Sequence, residues 1–162
     1  MLDIHPSAYI SNLADIEDSK RGSLIKIGAN STIDSFVKIK PAGGIGNLII
    51  GEHSVINSGC VLYTGNGINI GNHVAIAANT TLAPVNHAYE NKNILITKQG
   101  FIPSKGGITI EDDVWIGANC VILDGAILRT GCVIAAGSII RGEIPAYSVN
   151  AGTPLRVIKW RK

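Results

Sequence analysis

The sequence predicts an all-β chain wound as a parallel helix of short strands. Three observations carry that reading. Aliphatic residues recur every six positions over most of the chain; Ile and Val number 27 and 10 beside 19 Gly; and aromatic side chains make up only 5% of the 162 residues. β-branched residues favour extended backbone, and frequent Gly and Asn favour tight turns. A core that admits so few large rings must be narrow.

The repeats can be followed along the chain. Ile4, Ile10 and Ile16 open the series, with Ala8 and Ala14 in a second, small slot four residues after an aliphatic one. The segment Ile16 to Ser23 (Ile-Glu-Asp-Ser-Lys-Arg-Gly-Ser) breaks register and reads as a loop. Ile27, Ile33 and Ile39 follow with Ser31 and Val37, then Ile50, Ile56 and Leu62 with Ser54, Cys60 and Asn66. After two extra residues come Ile70, Ile76 and Leu82 with Val74 and Thr80. The longest unbroken run is Ile110, Ile116, Ile122, Leu128, Ile134 and Ile140, with Val114, Cys120, Ala126, Cys132 and Ser138; Ile144 then occupies the small slot, where the run ends. A period of six does not fit an amphipathic helix, whose apolar positions recur at three and four. It fits short strands with alternate side chains pointing inward. Three strands and three corners make one triangular coil, so residues 18 apart should stack on successive coils. Gly117-Ala118-Asn119 and Leu123-Asp124-Gly125 supply corner conformations.

Cys60, Cys120 and Cys132 all fall in the small inward slot and have no partner at ligand spacing, so they are expected to be buried and reduced. A formal charge of +2 and the absence of a basic run interleaved with aromatics argue against a nucleic-acid partner. No apolar run reaches the roughly 18 residues of a membrane span. The opening Met1-Leu2-Asp3-Ile4-His5-Pro6 lacks the basic and apolar regions of a secretory signal. These features predict a cytoplasmic protein with a single domain over 1–162.

The repeat fails at length once. From His87 to Gly107 the register is lost, and this segment must protrude as a loop from a corner of the coil. Long loops in compact domains tend to be functional. It opens with Asn86-His87-Ala88-Tyr89-Glu90, and the coil resumes through Ile110-Glu111-Asp112-Asp113-Val114-Trp115-Ile116-Gly117. The chain closes with Ala151-Gly152-Thr153-Pro154-Leu155-Arg156-Val157-Ile158, a short C-terminal extension. These elements, in this order, resemble the hexapeptide-repeat acetyltransferases of the maltose, galactoside and polysaccharide O-acetyltransferase group. Gln99-Gly100-Phe101-Ile102-Pro103 looks most like the members that modify surface polysaccharides.

The resemblance implies a left-handed coil, acetyl-CoA as co-substrate, no metal, and a homotrimer with active sites between subunits. It implies that His87 is the general base that deprotonates a sugar hydroxyl, a role suited to a side chain that titrates near neutrality. Alone, such a residue would read as a solvated loop histidine. Asn57 matches a position that contacts the acceptor, with Asn86 beside the base; Asn is equally a common corner residue. Trp115 matches a tryptophan walling the acceptor and pantetheine site, and trimer packing would also suit it. Ala118 stands where relatives carry a hydroxyl residue, so any oxyanion stabilisation there would use backbone N–H groups. Ala136 matches a contact along the pantetheine groove, and Arg141, Arg156 and Lys159 match basic positions near the coenzyme's phosphates. Acceptor contacts would come from Tyr89 to Ile102 and from Lys38-Ile39-Lys40-Pro41. The outward residues Val55, Val61, Val121, Ile127, Val133 and Ile139 are too apolar for full solvation, which favours an assembly of identical chains.

Other readings stay open. An amino-sugar N-acetyltransferase would use the same base, and a non-enzymatic β-helix scaffold would keep the coil without the chemistry. Serine acetylation would want a helical N-terminal domain that nothing here resembles. His53 and His73 should stack on neighbouring coils; a zinc hydratase resembling the γ-class carbonic anhydrases would need a third histidine at a position held by Lys92.

Overall fold

The computed structural model describes residues 1–162. Strands of two to five residues build three sheets, the faces of a triangular prism. The first face holds Leu2–Ile4, Ile25–Ile27, Leu48–Ile50, Ile68–Ile70, Ile108–Ile110, Ala126–Leu128 and Glu143–Ile144. The second holds Tyr9–Ile10, Thr32–Ile33, Val55–Ile56, Ala75–Ile76, Trp115–Ile116, Val133–Ile134 and Ser148–Ala151. The third holds Asp15–Ile16, Lys38–Lys40, Val61–Tyr63, Thr81–Ala83, Val121–Leu123 and Ile139–Ile140. All pairings are parallel except the last, where Arg156–Trp160 folds back antiparallel on Ser148–Ala151. No helix is long and apolar enough to cross a membrane; the sole α-helix is Ile96–Gln99.

The predicted columns of aliphatic residues stand inside the prism. Ile4, Ile27, Ile50, Ile70, Ile110, Leu128 and Ile144 pair in register up the first face. Ile33, Ile56, Ile76, Ile116 and Ile134 do so on the second, and Ile39, Leu62, Leu82, Ile122 and Ile140 line the third, all fully buried. Three details differ from the sequence reading. The advance of 18 holds only from Ile110 to Leu128; earlier coils advance by 23 (Ile4 to Ile27 to Ile50), 20 (Ile50 to Ile70) and 40 (Ile70 to Ile110), and the last by 16 (Leu128 to Ile144). Ile144 continues the large column rather than ending it, because the preceding corner is two residues shorter. Asn66 is not inward; buried Thr64 occupies the interior position there.

Why the coils differ in length is visible at the corners. The first corner (first to second face) and the second corner (second to third) each turn in four residues. From the second coil on, one residue per turn sits in the left-handed region: Asn30, His53, His73, Asp113, Gly131 and Tyr147 at the first corner, Phe36, Gly59, Asn79, Asn119 and Gly137 at the second. Every insertion falls at the third corner, at 17–24, 41–47, 64–67 and 84–107. A long segment there leaves the ladders of the other two corners intact, so the column inside is undisturbed. The loop therefore leaves the coil after Ala83, three residues earlier than the sequence suggested.

The three cysteines are buried and free, as expected. Burial raises the pKa of each thiol, that of Cys132 to about 12. The outward Val55, Val61, Val121, Ile127, Val133 and Ile139 are half-buried in the single chain and distributed over all three faces.

Candidate active site

The third corner presents His87. Both limbs of its loop are pinned. On the outgoing limb the side chain of Val85 lies over Gly43 and Gly65, where a Cβ would come within 2.8 and 2.5 Å of its Cγ1. The two limbs then pair: the Ala88 N–H donates to Gly100 O (3.0 Å) and the Ile102 N–H to Asn86 O (3.0 Å), with His87 facing Phe101. The Phe101 ring stacks obliquely on the imidazole, centroids 4.6 Å apart. His87 is exposed and Asn86 half-buried. In the segment expected to meet an acceptor, Lys38 pairs with Asp15 and Glu17, and Lys40 with Glu17.

The second corner carries Asn57 in the 57–60 turn and, past the 77–80 turn, Ala118 and Ala136 at the equivalent place of the next two turns. Asn57 is half-buried, and its Nδ2 donates to Ile76 O (2.9 Å) on the next coil. One coil earlier, Asp34 accepts from the Ser35 N–H and from Ser58 Oγ (2.8 Å), and those bonds lower its carboxyl pKa. Further along, the N–H groups of Gly117, Asn119, Ala135 and Gly137 bond between coils, whereas those of Ala118 and Ala136 have no backbone acceptor. These two N–H groups are thus left without a partner in the chain, on a ledge where Ala136 is exposed and Ala118 half-buried.

Trp115 stands outward on the second face, 56% exposed, in register with Ala75 and Val133. The returning strand makes a wall beside it: Trp115, Val133, Val149, Lys159 and Trp160 line one groove of about 490 Å³. Arg161 fastens this strand by donating to Asp113 Oδ2 and Gly131 O, both at 2.9 Å. At the C-terminal end of the prism, Arg141 and Arg156 line a cleft of about 570 Å³ with Asn150 and Thr153. Lys159 therefore groups with Trp115, and Arg141 with Arg156. His53 and His73 stack as expected, rings parallel within 1° and 5.0 Å apart, at the first corner. No group of three or more His, Cys, Asp or Glu side chains is arranged to hold a metal ion.

Within one chain the third face lies between His87 and the ledge of Asn57, Ala118 and Ala136. The strands of that face have two or three residues, roughly 7–10 Å at about 3.3 Å each, so His87 and the ledge stand at opposite edges of it. Two residues of this region were not singled out from sequence. Phe101 was legible only as part of a resembling stretch, because its contact with His87 depends on the limbs pairing. Asp124 was legible only as a corner residue, because its partners lie 17 to 58 positions away.

Residues 107–142 match the family described as bacterial transferase hexapeptide (six repeats), and 47–84 match the hexapeptide repeat of succinyl-transferase. The galactoside O-acetyltransferase of Escherichia coli is 34% identical over 88% of this chain and 70% of its own length. The chain belongs to the hexapeptide-repeat acyltransferase family. Other curated relatives of that family are longer, and the chain spans 48% of one and 24% of another. The crystal structure of a hexapeptide-repeat-containing acetyltransferase from Vibrio cholerae O1 biovar eltor, complexed with acetyl coenzyme A, superposes with a TM-score of 0.73 at 31% identity, over 84% of this chain and 70% of that one. A variant of AntD, an N-acyltransferase from Bacillus cereus, in complex with dTDP-4-amino-4,6-dideoxyglucose and coenzyme A, superposes with a TM-score of 0.82 at 24% identity, over 99% and 84%. The shared fold is the left-handed parallel β-helix.

Proposed function

We propose that this chain is an acetyl-CoA-dependent O-acetyltransferase acting on a sugar hydroxyl in surface polysaccharide synthesis, with 1–162 as one catalytic domain. The observation that carries the reading is the pairing of one pinned, exposed histidine at the third corner with a ledge of free N–H donors at the second. In the mechanism, His87 removes the proton of the acceptor hydroxyl as its oxygen attacks the thioester carbonyl. The tetrahedral oxyanion that forms is met by the Ala118 N–H. Collapse expels the coenzyme A sulfur, which takes the proton back from the imidazolium. The pantetheine arm runs along Ala118 and Ala136 beside Trp115, and Arg141, Arg156 and Lys159 serve the phosphate charges. Asn57 and Asn86 contact the acceptor.

Because His87 and the ledge are a face apart, the site is built from two chains, the loop of one reaching the second corner of its neighbour. A closed homotrimer supplies three such junctions and covers the half-buried valines and isoleucines of the faces. The second reading is amino-sugar N-acetylation, favoured by the amino sugar bound to the structurally similar Bacillus cereus enzyme; the same base and ledge serve an amine. Thiol release from acetyl-CoA, followed over galactosides, oligosaccharides and nucleotide-linked amino sugars, tests both. Release with hydroxyl acceptors alone supports O-transfer, and release only with amino sugars supports the second reading. An absence of acetyl-CoA binding would leave a scaffold.

A further inference from the structure

We propose that Asp124 is a positioning residue for His87, acting through the return limb of the 84–107 loop; this rests on the proposed role of His87. Asp124 turns the third corner between Val121–Leu123 and Ala126–Leu128, and it is only 5% exposed. Its carboxylate belongs to none of the ion pairs in the chain; hydrogen bonds hold it instead. Oδ2 accepts the Lys105 N–H (2.8 Å) and Asn66 Nδ2 (3.3 Å), and Oδ1 accepts the Gly107 N–H (2.9 Å). The backbone answers in the other direction, the Gly125 N–H donating to Gly107 O at 2.6 Å. A Cβ on Gly125 would meet the Lys105 Cβ at 2.9 Å, so the two segments are in close contact.

One carboxylate thus ties together three successive third corners: 64–67 through Asn66, the loop through Lys105 and Gly107, and 124–125 itself. A buried carboxylate so placed is tolerated only while its oxygens are satisfied, and losing it orphans donors in turn. The strain of a misplaced clasp has a short path to the base. Between Lys105 and the paired limb lie only Pro103, with its fixed φ, and Ser104, whose Oγ accepts the Gly106 N–H at 2.9 Å. Ile102 then bonds Asn86, and Phe101 packs on the imidazole. The Ala118 and Ala136 ledge shares none of these contacts.

The test compares wild type with Asp124→Asn, which offers an NH₂ where an N–H must be accepted, and with Lys105→Pro, which deletes one donor and leaves the carboxylate. Hydrogen exchange of residues 86–88 and 100–102 is expected to speed up roughly tenfold or more in both variants. The kcat for acetyl transfer is expected to fall roughly tenfold with an unchanged Kd for acetyl-CoA, since a displacement near 1 Å at a base costs up to about a hundredfold. Faster exchange confined to 105–107, with exchange at 86–88 unchanged, would overturn the proposal by leaving the clasp a local fastening. Should wild type transfer no acetyl group, the role of His87 fails, while the exchange comparison still decides whether Asp124 holds it.

Discussion

His87 has one neighbour that shapes it, the Phe101 ring, and one proposed task, that of general base. Replacing His87 with Ala should lower kcat about a hundredfold or more, the range for loss of a general base, with thiol release as the readout and acetyl-CoA binding retained. Elsewhere single residues hold the prism together. Glu111 accepts from Arg129 (2.7 Å), from the Thr130 N–H and from its hydroxyl, and these bonds hold its carboxyl below the ordinary value. A lowered folded pKa means stabilisation that is present above the unfolded value and lost as pH falls through the folded one. Glu111→Gln should therefore be less stable than wild type at neutral pH. The gap in urea midpoint should close as the pH is lowered past the carboxylate range.

At the scale of the strand and corner, the inward columns decide stability. Ile76 is fully buried between Ile56 and Ile116. Ile76→Ala should cost about 2–5 kcal/mol, read from urea unfolding, because the flanking coils are fixed by their ladders and cannot collapse into the space. Corners follow different physics. Phe36 holds φ +62° at the second corner while its ring is 67% exposed, so it bears a left-handed backbone with little packing in return. Asn79 and Asn119 fill the equivalent place on later coils. Phe36→Asn should raise stability by about 1 kcal/mol, with an unchanged denaturant slope.

For the whole molecule, the proposed two-chain site, which joins the third corner of one copy to the second corner of the next, makes assembly part of the proposed chemistry. Mixing His87→Ala with Ala136→Trp, which blocks the ledge, should restore about a quarter of wild-type activity if random trimers pair an intact loop with an intact ledge. No recovery would place both halves of the site on one chain. The same geometry explains how insertions as long as 84–107 coexist with a regular core: they sit at one edge, and two of every three corners remain uniform.

The spacing of Ile and Leu was enough to determine the prism, its inward columns, the buried cysteines and the His53–His73 stack, because a period of six leaves one way to bury all those side chains. The break after Leu82 likewise marked the loop and its histidine. What the spacing did not carry was which corner each insertion occupies, that Ile144 resumes the column, and that Lys38 and Lys40 are held by Asp15 and Glu17. It was silent on the Asp124 clasp as well, and on the face that separates His87 from Asn57, Ala118 and Ala136. Those depend on which residues of different coils become neighbours. A local repeat says which side chains point inward, whereas contacts between corners follow from the number of residues each coil spends in turning, a quantity that only the closed coil makes definite.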